Sequence, residues 1–156
     1  MPQPTRRILR FNSLDHALAD ARVLANSTIK PHGQWTPGQV VGHVARAING
    51  SIDGVSFRAP LPLRIVGRVI RNIPLNKGLP TGVKIPAYAR AKIVPEPDLP
   101  IEQAVQQLTD AIKRTRHETM NQIHPVFGRL SHEQWRLFHC RHAENHFSYL
   151  EPTESN

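Results

Sequence analysis

Several features are scarce in this sequence, and each scarcity narrows the class of protein. The only cysteine is Cys140, which excludes an internal disulfide framework and is typical of a reducing cytoplasm. No apolar run approaches the roughly 20 residues that span a bilayer, and no apolar segment follows the basic N-terminus as in a signal peptide. With 156 residues, 39% of them hydrophobic, we predict one cytoplasmic domain over residues 1–156.

Acidic residues are missing from one long stretch of the chain. Between Val55 and Lys92 there is no Asp or Glu, whereas eight basic residues occur there: Arg58, Arg64, Arg68, Arg71, Lys77, Lys84, Arg90 and Lys92. They equal the formal net charge of +8. Residues 60–100 also hold eight of the 14 prolines, which interrupt regular structure. We therefore predict a long basic crossover, about residues 55–100, that packs across the main body.

The rest of the chain has apolar residues at helical spacing. Ser13, Thr36 and Ser131 are suitable N-caps, and no strand alternation is convincing. The predicted main helices are residues 13–26, residues 36 to 50 or 54, residues 101–120, and residues 131–150. Four main helices with one long crossover after the second predict an all-α four-helix bundle.

The last helix carries three histidines on one side. His146 lies about 40° around the helix from His142 and about 6 Å along it, so both can face one metal ion. His139 is one turn earlier. A metal site in a bundle needs a ligand from another helix, and His43 lies on the apolar stripe of the second helix. The alternative for His43 is a core histidine bonded to the backbone or to an acid.

Three neutral histidines would leave a coordination position open, as in catalytic metal sites. Zinc is the first expectation, with nickel and iron(II) as alternatives. Gln39 could hydrogen-bond to a ligand, and Gly42, Ala47 and Gly50 would leave space for a cavity around His43. Cys140 points away from the histidines, and His124 is predicted to cap a helix end.

The crossover contains one amphipathic helix, "LRIVGRVIRNI". Its apolar side carries Ile65, Val66, Val69, Ile70 and Ile73, and its other side carries Arg64, Arg68 and Arg71. One interpretation is a packed helix with a solvated basic face. The other is a contact with an anionic membrane surface or an acidic partner. The segment does not have the pattern of a nucleic-acid-binding surface, because Phe57 and Tyr88 are the only aromatics between Val55 and Lys92 and no recognised motif is present.

Two segments, "WTPGQVVGH" and "HPVFGRLSHEQWRLFHCRHAENHFSYL", resemble the DinB-like superfamily of metal-binding four-helix bundles (YfiT-type metalloenzymes), especially a branch known as a domain of unknown function. The resemblance implies an up-down-down-up bundle with one divalent metal. The family's ligand positions correspond to His43, His142 and His146. Characterised relatives include thiol-dependent transferases and isomerases. This chain departs from the pattern at Tyr149, where relatives often have glutamine, and at Asn145.

The function expected from these observations is a metal-dependent transferase, isomerase or hydrolase that acts on a small anionic substrate, with a low-molecular-weight thiol as one candidate. His139, Gln39 and Tyr149 would line the pocket or contact the ligands, and Arg64, Arg68 and Arg71 could hold the substrate. The alternative is a non-catalytic module that contacts an anionic partner or membrane surface through residues 55–92. Whether the chain forms a homodimer is left open.

Overall fold

Helices dominate the computed structural model, which describes residues 6–84 and 86–153. In these residues there are seven helices: α1 (Leu14–Ala25), α2 (Pro37–Asp53), α3 (Leu61–Ile70), α4 (Asn72–Lys77), α5 (Ala87–Ile93), α6 (Ile101–Thr115) and α7 (His132–Phe147). There are also four short strands: β1 (Thr28–Pro31), β2 (Ile123–His124), β3 (Gly128–Arg129) and β4 (Leu150–Thr153).

The predicted N-caps are confirmed. The side chain of Ser13 accepts from the backbone N–H of His16 at the start of α1. Thr36 and Ser131 each form a complete capping box, with Gln39 and Gln134 as their respective partners. These bonds satisfy backbone N–H groups that have no partner within the helix. The capping residues in the sequence therefore predict where α1, α2 and α7 begin.

Two helix ends differ from the prediction. α6 stops at Thr115 rather than near Met120, because a turn follows in which Arg116 and His117 donate to carbonyls only three residues back. Met120 is still buried, although it lies outside the helix. α7 stops at Phe147, and the chain then enters β4 at Leu150.

The main core lies between the four longest helices. α2 packs against α6 and α7, and α1 packs against the same two helices. Their apolar stripes meet in one cluster, which includes Leu24, Val41, Ile48, Leu108 and Phe147. The chain is thus mainly helical, while the up-down-down-up order of a four-helix bundle stays a prediction.

The expectation of no strands was wrong for the short segments that flank the helices. β1 pairs antiparallel with β4, and β2 pairs antiparallel with β3. Each strand has two to four residues, too few for an alternating pattern to be visible in the sequence. The β1–β4 pair joins the end of α1 to the end of α7, and His32 adds a side-chain bond of 2.7 Å to Glu151.

A second, smaller apolar cluster lies beneath the crossover. It consists of Leu75, Met120, Phe127, Leu130 and Trp135. Through Leu75 it anchors α4, which also packs against α7. The crossover contains three short helices where the sequence predicted one, and two of them contact the long helices, α4 on α7 and α5 on α2.

The orientation of α3 contradicts the interpretation of a packed helix with a solvated basic face. Val69 is 80% exposed, and Ile65, Val66, Ile70 and Ile73 are also exposed. On the other side the Arg71 guanidinium donates to the Arg129 carbonyl. The side that carries Gly67 thus lies toward the body, and the apolar side faces solvent.

Candidate metal centre

Two helices bring three histidines together. His43 comes from the middle of α2, and His142 and His146 come from α7. Each ring offers one nitrogen, and these three nitrogens all lie within 4.8 Å of one another. The three histidines are therefore close enough to bind a metal ion.

The tautomer of His43 follows from its hydrogen bond. Nδ1 lies 2.8 Å from the carbonyl oxygen of Ile93, at the end of α5. Because a carbonyl oxygen only accepts, Nδ1 must carry the hydrogen. Nε2 of neutral His43 then carries a lone pair, and this atom lies 3.1 Å from Nε2 of His142. A metal-ligating histidine characteristically donates its other ring N–H to a carbonyl in this way.

Burial keeps these histidines neutral. The pKa of His43 falls to about 4, because burial, with a smaller contribution from the nearby Arg46 charge, outweighs the Ile93 hydrogen bond, which raises it. Burial and then the neighbouring histidines hold the pKa of His142 well below its usual value, and burial with His43 does the same for His146. Near pH 7 all three rings can therefore offer a lone pair to a cation.

Two aromatic rings fix the planes of the α7 histidines. Trp35 stacks on His146 with an interplanar angle of 2° and meets His43 edge to face. Phe138 stacks on His142 with an angle of 14°. His43 is buried, whereas His142 and His146 are half-buried, so α7 supplies the more exposed rings of the site.

His139 is fully buried beside the site. Its ring stacks on Trp135, and its Nε2 lies 3.0 Å from the hydroxyl of Ser51. Ser51 donates its own hydrogen to the carbonyl of Ile48, so its oxygen accepts from His139. Burial lowers the pKa of His139 to about 3. The ring thus belongs to the packing between α2 and α7.

The structure gives Gln39 and Gly42 different contacts from those expected. The Gln39 side chain caps α2 and donates to the carbonyl of Pro95 at 3.0 Å. A Cβ on Gly42 would lie 2.7 Å from the Leu99 side chain. Both residues therefore hold the end of the crossover against α2. The prediction of a cavity at Gly42 was wrong, because the Leu99 side chain fills the space beside this glycine.

Tyr149 lies at the far end of α7. Its ring stacks under the Arg6 guanidinium at 4.5 Å and packs beside Gly33. Cys140 is buried in the main core, and burial raises its pKa to about 11. Glu144 is also buried, where it accepts from the backbone N–H of Phe11 and pairs with Arg141.

His124 caps a turn rather than a helix end. Its Nδ1 accepts from the backbone N–H groups of Val126 and Phe127, within the β2–β3 hairpin. Its ring also packs against Phe138, whose ring stacks on His142. His124 thus contacts the site indirectly, because it packs against the ring that stacks on His142.

The structure places Arg64 and Arg68 on α3 and Arg71 directly after it. α3 packs mainly on α4 and β3, whereas α5 packs on α2. Arg71 bonds to Arg129, and Arg68 lies over Gly128. Their substrate-holding role stays a prediction. The cations nearest in sequence to the Ile93 carbonyl are Arg90 and Lys92 of α5.

Two surface grooves lie elsewhere in the described residues. One, of about 320 Å³, is between α2 and α6 and includes Arg46, Asp110 and Arg114. The other, of about 350 Å³, is between the end of α1 and the start of α2. Neither is lined by a histidine of the candidate centre.

Two contributors to the centre were not assigned from the sequence. Trp35, stacked on His146, directly precedes the N-cap of α2, and that position was a usable signal for a ring at the helix start. The carbonyl of Ile93 carried no signal, since any residue type supplies the same oxygen.

Comparison with known proteins gives one match. A family model described as "Protein of unknown function (DUF1569)" matches residues 3–153. No curated protein matches the chain, and no solved structure does.

Proposed function

Because the chain belongs to the DUF1569 family, whose description assigns no activity, we propose a function from the geometry: a metal-dependent enzyme that holds one divalent ion with His43, His142 and His146. We further propose that its helices form a DinB-like four-helix bundle with up-down-down-up order. The packing of α1 and α2 on α6 and α7 supports that arrangement.

One observation carries the proposal, namely the approach of two imidazole nitrogens at 3.1 Å. The Ile93 carbonyl leaves His43 with a lone pair at Nε2, and the same atom of His142 faces it. Two ligands of a tetrahedral zinc ion, each bound at about 2.0–2.1 Å, lie about 3.3 Å apart. The observed approach is close to that separation, and His146 supplies the third nitrogen.

The ligand set favours zinc, since three neutral imidazoles suit zinc better than magnesium or calcium. Nickel and iron(II) are the alternatives. Three protein ligands leave at least one position for water or substrate, as in catalytic sites. The partial exposure of His142 and His146 supports that reading.

Bound there, a divalent ion would supply Lewis acidity, which either lowers the pKa of a coordinated water or thiol or polarises a carbonyl group. The surrounding residues set the conditions for this chemistry. The Ile93 carbonyl keeps His43 in the tautomer that ligates through Nε2. Trp35 and Phe138 hold the other two rings in place and cover their faces against water.

A small anionic substrate fits the charges around the centre. Neutral ligands leave the full charge of the cation, and Arg46 lies close enough to lower the pKa of His43. The exposed α5 cations Arg90 and Lys92 extend this positive region along the crossover. We therefore propose a transferase, isomerase or hydrolase, with a low-molecular-weight thiol as one candidate co-substrate.

Metal binding is the first test. Protein purified without a histidine tag is stripped with a chelator, incubated with zinc, nickel or iron(II), and desalted before elemental analysis. We expect about one equivalent of metal in the parent and a strong loss in His43→Ala, His142→Ala and His146→Ala. His117→Ala is the matched control, because His117 is exposed on the turn after α6 and should leave binding unchanged.

Circular dichroism and size exclusion show whether each variant is folded. The conservative His43→Gln variant separates loss of the ligand from loss of the fold. Absorption of cobalt(II)-loaded protein in the visible d–d region then reports the coordination number. Metal-free parent protein after all three incubations, with the fold intact, would contradict the proposal.

A further inference from the structure

The exposed apolar residues of the molecule are concentrated in the crossover. Within the described residues, 13 large hydrophobic side chains are exposed. Ten of these belong to residues 55–88, namely Val55, Leu61, Leu63, Ile65, Val66, Val69, Ile70, Ile73, Val83 and Tyr88. Exposed aliphatic groups are ordinary when scattered, but a concentration of them indicates an interaction surface.

α3 forms the centre of this surface. At 100° per residue, its six exposed aliphatic residues cover an arc of about 200°. Val69, near the middle of that arc, is the most exposed of the six. Gly67 lies on the opposite side, where a Cβ would be 2.6 Å from the Val126 side chain. The helix thus packs against the β2–β3 hairpin through Gly67. Because this contact fixes the rotation of the helix, its apolar face points to solvent.

Cations border this face. Arg64 and Arg68 lie along one edge of the apolar arc, Arg58 precedes the helix, and Arg71 and Lys77 follow it. Six of the eight basic residues in the crossover are exposed: Arg58, Arg68, Lys77, Lys84, Arg90 and Lys92. In the described part of the chain none of the eight forms an ion pair, although eight arginine–carboxylate pairs occur in it.

From this arrangement we propose that α3 docks in the plane of an anionic lipid bilayer, with its aliphatic face in the acyl boundary and the crossover cations against lipid phosphates. An outward apolar face with basic flanks and no acid is the pattern of an interfacial amphipathic helix. No described helix is long and apolar enough to cross the membrane, so the contact is with the surface. The proposal is independent of the metal centre.

Charge favours the bilayer over a second copy of the chain. A two-fold contact through α3 would place the basic residues of one crossover beside the same residues of the other. Because there is no acidic residue between Val55 and Lys92, no ion pair within the segment could offset the repulsion between these cations. An anionic leaflet matches the aliphatic face and the cations together.

Flotation of the full chain with phospholipid vesicles tests the proposal. The vesicles contain either phosphatidylcholine alone or phosphatidylcholine with phosphatidylglycerol. We expect at least tenfold stronger partitioning to the anionic vesicles at low salt, and weaker partitioning as salt rises. Each exposed cation neutralised, such as Arg58→Gln or Lys77→Gln, should lower partitioning about fivefold. Arg22→Gln on α1 is the matched control and should have no such effect.

The apolar contribution is tested with Val69→Asp against Val23→Asp. Both valines are exposed on helices, at 80% and 56%, so neither change disturbs the core. We expect Val69→Asp to lower partitioning tenfold or more and Val23→Asp to leave it unchanged. His43→Ala should bind vesicles like the parent, which keeps this result separate from the metal experiment.

Equal binding to neutral and anionic vesicles, or equal binding by the two aspartate variants, would overturn the proposal. So would a dimer in sedimentation that Val69→Asp dissociates while no vesicle binding is found, since the apolar face would then be an interface between copies.

Discussion

The four long helices and the crossover use apolar side chains in opposite ways. In α6 the apolar positions Ala104, Leu108 and Ile112 are almost completely buried against α2. In α3 an equally regular apolar stripe faces solvent, because Gly67 provides the contact with the body. Helical amphipathicity identifies a face that needs a partner; whether that partner is the protein's own core depends on the neighbouring elements.

The same substitution should separate the two regions most strongly. Leu108 is fully buried in α6, and Leu63 is about half exposed in α3. Leu108→Ala leaves a cavity and should lower the free energy of unfolding by about 3 kcal/mol, whereas Leu63→Ala should change it by less than about 0.5 kcal/mol. Urea unfolding followed by circular dichroism measures both. An equal loss of unfolding free energy in the two variants would mean that the apolar face of α3 is buried.

Zinc should stabilise the helices and leave the crossover surface unaffected. At a free zinc concentration of 100 times Kd, the folded state gains about 2.7 kcal/mol if the unfolded chain does not bind. We expect a rise in the thermal midpoint for the parent and for His117→Ala, and none for His146→Ala. Chelator should reverse it. A shift that persists in His146→Ala would assign the stabilisation to another site.

Acid should destabilise the helices that surround the buried histidines. Burial lowers the pKa of His124 to about 3 from 6.5. Between pH 6.5 and 3 the unfolded state therefore binds more protons, so the free energy of unfolding falls as pH falls through that window. The slope is up to about 1.4 kcal/mol per pH unit for each such group.

Asparagine at position 124 tests this dependence. The side-chain oxygen of His124→Asn can accept the two backbone bonds now made by Nδ1, without a group that titrates in this range. Denaturant unfolding at several pH values should give a shallower acid limb for the variant. Both proteins are first stripped of metal with a chelator. If the free energy of unfolding depends on pH equally in the parent and the variant, the assignment of this dependence to His124 is wrong.

A loss of only about 1 kcal/mol is expected from a change at the contact between α3 and the β2–β3 hairpin. Gly67→Ala gains up to about 1 kcal/mol of helix propensity, but its Cβ would meet the side chain and carbonyl of Val126 at 2.6 and 2.8 Å. Overpacking of this kind costs about 1–3 kcal/mol, so we expect a net loss of about 1 kcal/mol. Stabilisation in urea unfolding would show that α3 is not seated on the hairpin.

Much of the fold could be predicted from local signals. Ser13, Thr36 and Ser131 act through their own backbone neighbours, so the start of each helix they cap was predictable. The short strands and the early end of α6 were missed, since a strand of two to four residues has no periodicity to read. The α7 histidine pair followed from the helical repeat.

The sequence by itself determined that His142 and His146 share a helix face, and that residues 55–92 carry eight cations without an acid. Only the tertiary structure decided that His43 faces His142 at 3.1 Å, that the Ile93 carbonyl sets its tautomer, and that α3 turns its apolar side outward. The physical reason is range. A helix repeat is local, whereas a ligand from another helix and a helix seated on a glycine depend on contacts between residues far apart in the chain.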